Sequence, residues 1–332
     1  MTRPLRCVCA ALLWCLPASA LAQPGVAAAS ADRQRYALIV SGASGGDEYA
    51  AQYAAWTDTL QQALVHRLKF EPGRITILSE TDRPEAASTA ENVRKAIGAV
   101  RQRMGRDDLL FVFLAGHGTF DGVDAKFNLV GPDLESAEWA ALLKPLAGHV
   151  VVVNTTAGSF PFIERLSGPR RIVVTATDSV AQRFDTVFAE YFVKAFDDDA
   201  ADLDKNQRIS VWEAFASAAA GVRRHYQQRG QLATERSLLD DNGDGVGTSA
   251  SEQGEDGTQA SRTYLEMEQP GAAPTDEELL KLLQRKALLE GELDELKIRR
   301  AFLGADEYTK EFERIITEYA RVSSEIRKRT KT

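Results

Sequence analysis

The chain has 332 residues, with 48 acidic against 40 basic side chains and a formal net charge of −8. An acidic balance offers no long-range attraction to nucleic acid or anionic lipid. Past the N-terminal stretch no apolar run is long enough to span a bilayer.

The N-terminal stretch reads as a signal peptide over residues 1–22. Arg3 and Arg6 form a basic start, and residues 7–16 are an apolar run too short for a membrane helix. Ala20-Leu21-Ala22 then offers small residues at the spacing read by signal peptidase. Cleavage is expected after Ala22, which places the protein in the periplasm or outside the cell; an uncleaved anchor is the alternative. Cleavage removes two Arg and no acid, taking the net charge from −8 to −10. It also removes all three cysteines, Cys7, Cys9 and Cys15. The mature chain is then expected to have no disulfide, no thiolate metal site and no thiol nucleophile.

Residues 33–230 alternate between strand-like and helix-like sequence. Tyr36 to Val40 is a short apolar run ending in Ser41-Gly42. Residues 47–68 carry Tyr49, Tyr53, Trp56, Leu60 and Leu64 at helical spacing. A second strand is predicted at Arg74 to Leu78, and Ser88-Thr89-Ala90-Glu91 reads as a capping box opening a helix. Leu109 to Leu114 is continuously apolar, as a strand buried on both faces should be. A helix is expected at 136–147, strands at Val150 to Val153 and Ile172 to Val174, and mostly helix over 185–229. This alternation implies a largely parallel sheet with helices on both faces. Residues 231–274 are rich in Gly, Ser, Asp and Glu and read as a loop or linker. From 275 to 330 two amphipathic helices are expected, broken at Gly304 and opened by a Thr275–Glu278 capping box. They read as an α-helical hairpin or coiled coil, serving as a packing appendage or as an arm for self- or partner association.

Two segments fall where ligands bind in open parallel sheets, past the carboxyl ends of strands. One is Leu114-Ala115-Gly116-His117-Gly118, the other Asn154-Thr155-Thr156-Ala157-Gly158-Ser159. The run Phe111 to Gly118 resembles the histidine strand of the legumain-like and caspase-like cysteine peptidases. The resemblance extends over about residues 33–230 and takes in Ala176-Thr177-Asp178-Ser179 to Phe184, which is similar to the segment shaping the substrate pocket of legumain-like enzymes. It implies a caspase-like three-layer α/β sandwich, with His117 as general base or acid and Gly118 contributing to an oxyanion hole. It also puts Thr156 at the position of the catalytic cysteine and Asn154 at that of an acidic residue. A threonine hydroxyl is a poor nucleophile without a strong base in tight geometry, and its β-branched side chain is stiff. The chain is therefore expected to be a non-catalytic homologue that binds a peptide or protein. The alternative is a hydrolase working through His117 and Thr156.

A cation site is also legible. Residues 202–213 fit the twelve-residue EF-hand template, with Asp202, Asp204, Asn206, Ser210 and Glu213 as oxygen ligands and Arg208 offering its carbonyl to calcium. Gln207 replaces the usual glycine at the sixth position. Asp240, Asn242 and Asp244 repeat the alternate spacing in Asp240-Asp241-Asn242-Gly243-Asp244-Gly245, which reads either as a partial calcium site or as an Asp/Asn/Gly turn.

Overall fold

The structure, a computed structural model, describes residues 33–267 apart from 183 and 253, together with 277–330. The leader, its three cysteines and the start of the Thr275–Glu278 box lie outside the described residues. The chain opens on β1 (Arg35–Ser41) and crosses through α1 (Asp47–Gln62), which ends in a π-helical turn at Ala63–Arg67, to β2 (Ile75–Leu78). Helix α2 (Ala90–Arg103) leads back to β3 (Leu109–Ala115). Three short strands follow, β4 (Gly118–Phe120), β5 (Ala125–Phe127) and β6 (Leu134–Glu135), and then α3 (Ser136–Leu143). Next come β7 (His149–Asn154), α4 (Phe162–Leu166), β8 (Arg171–Thr175), α5 (Phe188–Ala195) and α6 (Val211–Gln228). The described chain ends with β9 (Leu238–Asp240), α7 (Thr258–Arg262), α8 (Glu277–Arg299) and α9 (Ala305–Thr330).

Six strands form one sheet in the order β2-β1-β3-β7-β8-β9, parallel throughout except for β9, which runs antiparallel to β8. Every residue of β1, β3 and β8 is buried, which is why the sequence there reads as unbroken apolar runs. Alternate side chains supply two cores. Ile39, Phe111, Phe113 and Val153 face Trp56 and Leu60 of α1, Phe192 of α5 and Phe215 of α6. Leu38, Val40, Val112 and Val152 face Val93 of α2, Trp139 of α3 and Phe162 of α4. The result is the expected three-layer sandwich. Burying each of these large side chains contributes roughly 1.5–3 kcal/mol.

The two long helices follow the expected pattern, with a turn ending at Gly304. Leu283, Leu289 and Leu296 of α8 are buried, with Ile315, Val322 and Ile326 of α9, in the same core as α6. Gln284 Nε2 donates to Asp256 O at 3.0 Å, and Lys286 Nζ donates to Leu203 O at 3.2 Å, which fastens α8 to the body. None of the described helices is long and apolar enough to cross a membrane.

The structure differs from the sequence reading at several points: the short strands β4, β5 and β6 were not expected, the helix expected at 136–147 ends at Leu143, and two further differences bear on the sheet and on a helix cap. Residues 231–267, expected as loop, include the sixth strand and α7. Within β9 only Leu238-Leu239 is apolar, and the strand exists because β8 offers it a ladder. The cap of α2 is Thr89, whose side chain accepts from Asn92 N at 3.2 Å, not Ser88, which is buried.

Candidate functional site

The register Leu114↔Asn154 sets the two motifs level at the carboxyl edge of the sheet. Gly116 allows the exits of β1 and β3 to pass closely: its φ is 152°, and a Cβ there would lie 3.2 Å from Gly42 N. His117 then turns toward α1. Its Nε2 lies 3.0 Å from Ser44 O and its Nδ1 3.2 Å from Asp185 Oδ1. Tyr49 OH donates to the other oxygen of Asp185 at 2.5 Å. The rings of Tyr49 and Tyr53 meet the imidazole edge-on, at 4.7 and 5.7 Å between centroids. The hydrogen bond to Asp185 raises the Tyr49 hydroxyl above the usual phenol range, and burial does the same to Tyr53. The His117 side chain is 27% exposed, so the cluster is reachable from solvent.

Thr156 is placed differently. It is fully buried, and its Oγ1 has no hydrogen-bond partner. Asn154 Oδ1 accepts from Thr156 N at 3.0 Å, and Asn154 Nδ2 is likewise buried and unpartnered. Thr155 Oγ1 donates to Leu114 O at 2.8 Å, while Ser159 Oγ accepts from Ala176 N and Thr177 N at 3.1 and 3.2 Å. The hydroxyls of Thr155 and Ser159 thus hold the backbone of β3 and of the segment just after β8. A Cβ on Gly118 would lie 2.9 Å from Thr156 Cβ, with Oγ1 closer still. Gly118→Ala is therefore expected to cost about 1–3 kcal/mol through overpacking, and adding Thr156→Ala should recover part of that loss; urea unfolding of the single and double variants checks this.

The structure brings together three carboxylates of the predicted calcium loop. Oxygens of Asp202, Asp204 and Glu213 lie within 4.8 Å of one another, and all three residues are buried. The loop backbone folds inward on Asp202, which accepts from Asn206 N and Gln207 N at 3.1 and 2.9 Å. Lys205 and Gln207 take positive φ, 63° and 66°; the second supplies the sharp turn that glycine normally makes at the sixth position. Burial, with the neighbouring carboxylates, pushes Asp204 and Glu213 well above the ordinary carboxylate range.

The side chains of Glu213, Ser210 and Asn206 are also engaged within the chain. Glu213 forms a capping box with Ser210 and also accepts from Leu203 N and Asp204 N at 2.9 and 3.3 Å. Asn206 Oδ1 accepts from Arg208 N at 2.8 Å. The Arg208 guanidinium pairs with Glu266 and stacks 3.7 Å above the Tyr264 ring. In the second loop Asp240 accepts from Gly243 N and Gly245 N at 2.9 and 2.8 Å. Asn242 and Asp244 accept from Asp244 N and Val246 N at 2.8 and 2.7 Å. Among the described residues these do not converge with further carboxylates into a metal-sized group.

Asp185, Tyr49 and Ser44 were not singled out in the sequence. Tyr49 reads as one member of an apolar helix face, and Asp185 stands just past the 176–184 segment.

No protein-family profile and no curated protein matches the chain. Among solved structures it is similar to protein GSU0716 from Geobacter sulfurreducens, with a TM-score of 0.43 and 14% identity over 62% of this chain and 92% of that one. It is also similar to the Drosophila initiator caspase Dronc, with a TM-score of 0.40 and 12% identity over 62% of this chain and 79% of that one.

Proposed function

We propose that this chain is an exported, non-hydrolytic binding protein that receives a peptide or protein at the carboxyl edge of its sheet and is stabilised by calcium. The observation that carries the reading is the state of Thr156: its hydroxyl is buried and bonded to nothing, while both His117 nitrogens are set against Ser44 O and Asp185. A nucleophile needs its base within hydrogen-bond reach and a path to the substrate carbonyl. Thr156 has neither here. Calcium would be held by Asp202, Asp204 and Glu213, where it would neutralise charges that burial makes costly. The apolar stripes of α8 and α9 are spent on each other and on α6, which supports a packing role for the hairpin.

A specific observation favours the hydrolase reading. His117 and Asp185 have the pairing of a base and its orienting acid. A diverse fluorogenic peptide library, offered to the mature protein in millimolar calcium beside His117→Ala and Thr156→Ala, separates the two. No turnover by any of the three folded proteins is expected. Turnover by the wild type that disappears in both variants would establish a threonine hydrolase and end the binding-protein reading.

A further inference from the structure

The sheet has a lateral margin that the site above does not use. Strand β2 pairs with β1 alone, over Ile75–Leu78. Along a strand, alternate residues turn their main-chain groups to the same side. Ser79 shows which residues face outward: its N donates to Ala86 O and its O accepts from Ser88 N, both at 2.9 Å, on the flank away from β1. Two residues back, Ile77 turns its N–H and C=O to that flank, and among the described residues no turn or loop hydrogen bond reaches either. Ile75 O points the same way, while Ile75 N is taken by Pro72 O. The chain leaves the flank before Ala86, whose N closes a turn on Arg83 O at 3.0 Å, so the margin stays open from Ile77 back to Ile75.

Hollows lie on both faces of this margin. Ile75 and Ile77 pack with the core under α1, and Leu78 with that under α2. On the α1 side a cavity of about 370 Å³ lies between Ile77 and Ser79 of the margin and Ala54, Asp58 and Gln61 of the helix. On the α2 side a groove of about 810 Å³ lies between Thr76 and Leu78 of the strand and Asn92, Lys95 and Ala96 of the helix. Carboxylates outnumber cations in both. Asp58 and Glu80 stand in the first against Arg83, and Glu85 and Glu91 in the second against Lys95. Lys95 is already held by Glu91 at 2.7 Å. Ser44 Oγ and N donate to Glu80 at 2.6 and 3.0 Å and hold its carboxyl below its ordinary range, so it stays charged.

We propose that the outer margin of β2 receives an extended segment of another protein as a seventh strand, in which Lys or Arg alternates with small apolar residues. A strand laid beside β2 sends successive side chains to opposite faces, and each residue type follows from the hollow it meets. On the α1 face a Lys or Arg stem crosses Ala54 and Ile77 and carries its cation to Asp58 and Glu80. On the α2 face Leu78, Ala87 and Ala96 offer an apolar floor for a Val- or Ala-sized side chain. The main chain of the segment bonds to Ile77 N, Ile77 O and Ile75 O, as peptides do when they extend an exposed sheet edge. The open stretch takes roughly three or four residues at about 3.3 Å each, so binding is weak and reversible. A second copy of this molecule fits less well, because it brings the same acidic margin and a net charge of −8. The margin is separate from the His117 cluster, and the seventh strand does not depend on a peptide binding there.

The test uses the whole mature protein. A fluorescein-labelled Lys-Val-Lys-Val-Lys amide and its Glu-Val counterpart are titrated by anisotropy, and hydrogen exchange at the Ile77 amide is followed by NMR on nitrogen-15-labelled protein. The Lys peptide should bind saturably and slow Ile77 exchange about tenfold, and the Glu peptide should do neither. Ala54→Arg, at an exposed helix position, puts bulk and a cation into the α1 hollow and should weaken binding about tenfold. Ile77→Pro removes an outward N–H, which an edge strand tolerates, and should weaken binding to a similar degree. Thermal unfolding shows that each variant is folded, and Ala54→Arg suffices where Ile77→Pro is not. His117→Ala should bind as the wild type does. Binding lost in His117→Ala but kept in Ala54→Arg overturns the seventh strand and leaves the reading of the carboxyl edge standing. Equal binding of the two peptides overturns the basic partner, and no binding of the Lys peptide overturns the site. Slow Ile77 exchange without peptide also overturns it: in a dimer by sedimentation the occupant is a second copy, and in a monomer it is another part of this chain.

Discussion

Replacing Glu213 by Ala should lower folding stability by about 4 kcal/mol, among the largest losses any single substitution in this chain would produce. The side chain is 1% exposed, and its two oxygens hold Leu203 N, Asp204 N, Ser210 N and Ser210 Oγ. Truncation strands three buried backbone N–H groups at once, each at a cost of roughly 1–3 kcal/mol, offset in part because one uncomfortable buried carboxylate disappears. The same residue opens α6, whose Phe215 and Ala218 reach the central core, so the loss should spread beyond the loop. Glu213→Gln separates the two roles. One amide oxygen can keep part of the cap, but the negative charge a cation needs is gone, so this variant should fold and fail to gain stability from calcium. Urea unfolding of both variants, with and without calcium, reads this out. A Glu213→Ala loss under about 1 kcal/mol would show that the cap carries little.

Calcium itself should stabilise the wild type by about 2.7 kcal/mol at a hundredfold excess over its dissociation constant, and the gain should grow with pH. The sign follows from the carboxylates. Asp204 and Glu213 hold protons more tightly in the folded chain than in the unfolded one, because burial and mutual repulsion disfavour their charged forms. In chelator, the stability those protons permit is complete below the ordinary carboxylate range and is lost as pH rises through the raised values. A bound divalent cation replaces the protons and removes that loss. Glu235 supplies an internal contrast. Burial pushes it up to about 7 although it accepts from Val187 N and Phe188 N, and its share of the slope should persist in calcium. Thermal unfolding across pH, in chelator and in calcium, checks both parts. Identical slopes in the two conditions would remove the cation from the loop.

The parts of the fold legible in the sequence were those whose local pattern and tertiary fate agree. Leu109 to Leu114 is apolar without interruption because both faces of β3 are covered. The acidic spacing of 202–213 announces its convergence because the loop closes on itself within a few residues. His117 was visible for a related reason, since two glycines mark a strand exit. Its partners were not. Tyr49 and Asp185 stand 136 positions apart and meet only because α1 and the segment after β8 are brought to the same edge. Thr156 could be placed by resemblance, but only the packing under Gly118 shows its hydroxyl sealed from solvent. The double duty of Glu213, as template ligand and as helix cap, was hidden for the opposite reason: one spacing satisfies both patterns.

The antiparallel sixth strand has a consequence for association. A terminal strand normally displays unpaired N–H and C=O groups, which invite another chain to add to the sheet. Strand β9 is three residues long, and its outer flank is already claimed: Leu239 and Thr248 exchange both backbone hydrogen bonds, at 3.0 and 2.9 Å. At the opposite margin β2 has four residues, and the chain beyond it turns back to bridge Ser79 to Ala87. Lateral growth of the sheet through β9 would first have to displace Thr248. A second copy, or an extended segment of another protein, would meet little free ladder at β9, and of the two margins of this sheet only β2, which pairs with β1 alone over Ile75–Leu78, keeps an outer flank for such an addition.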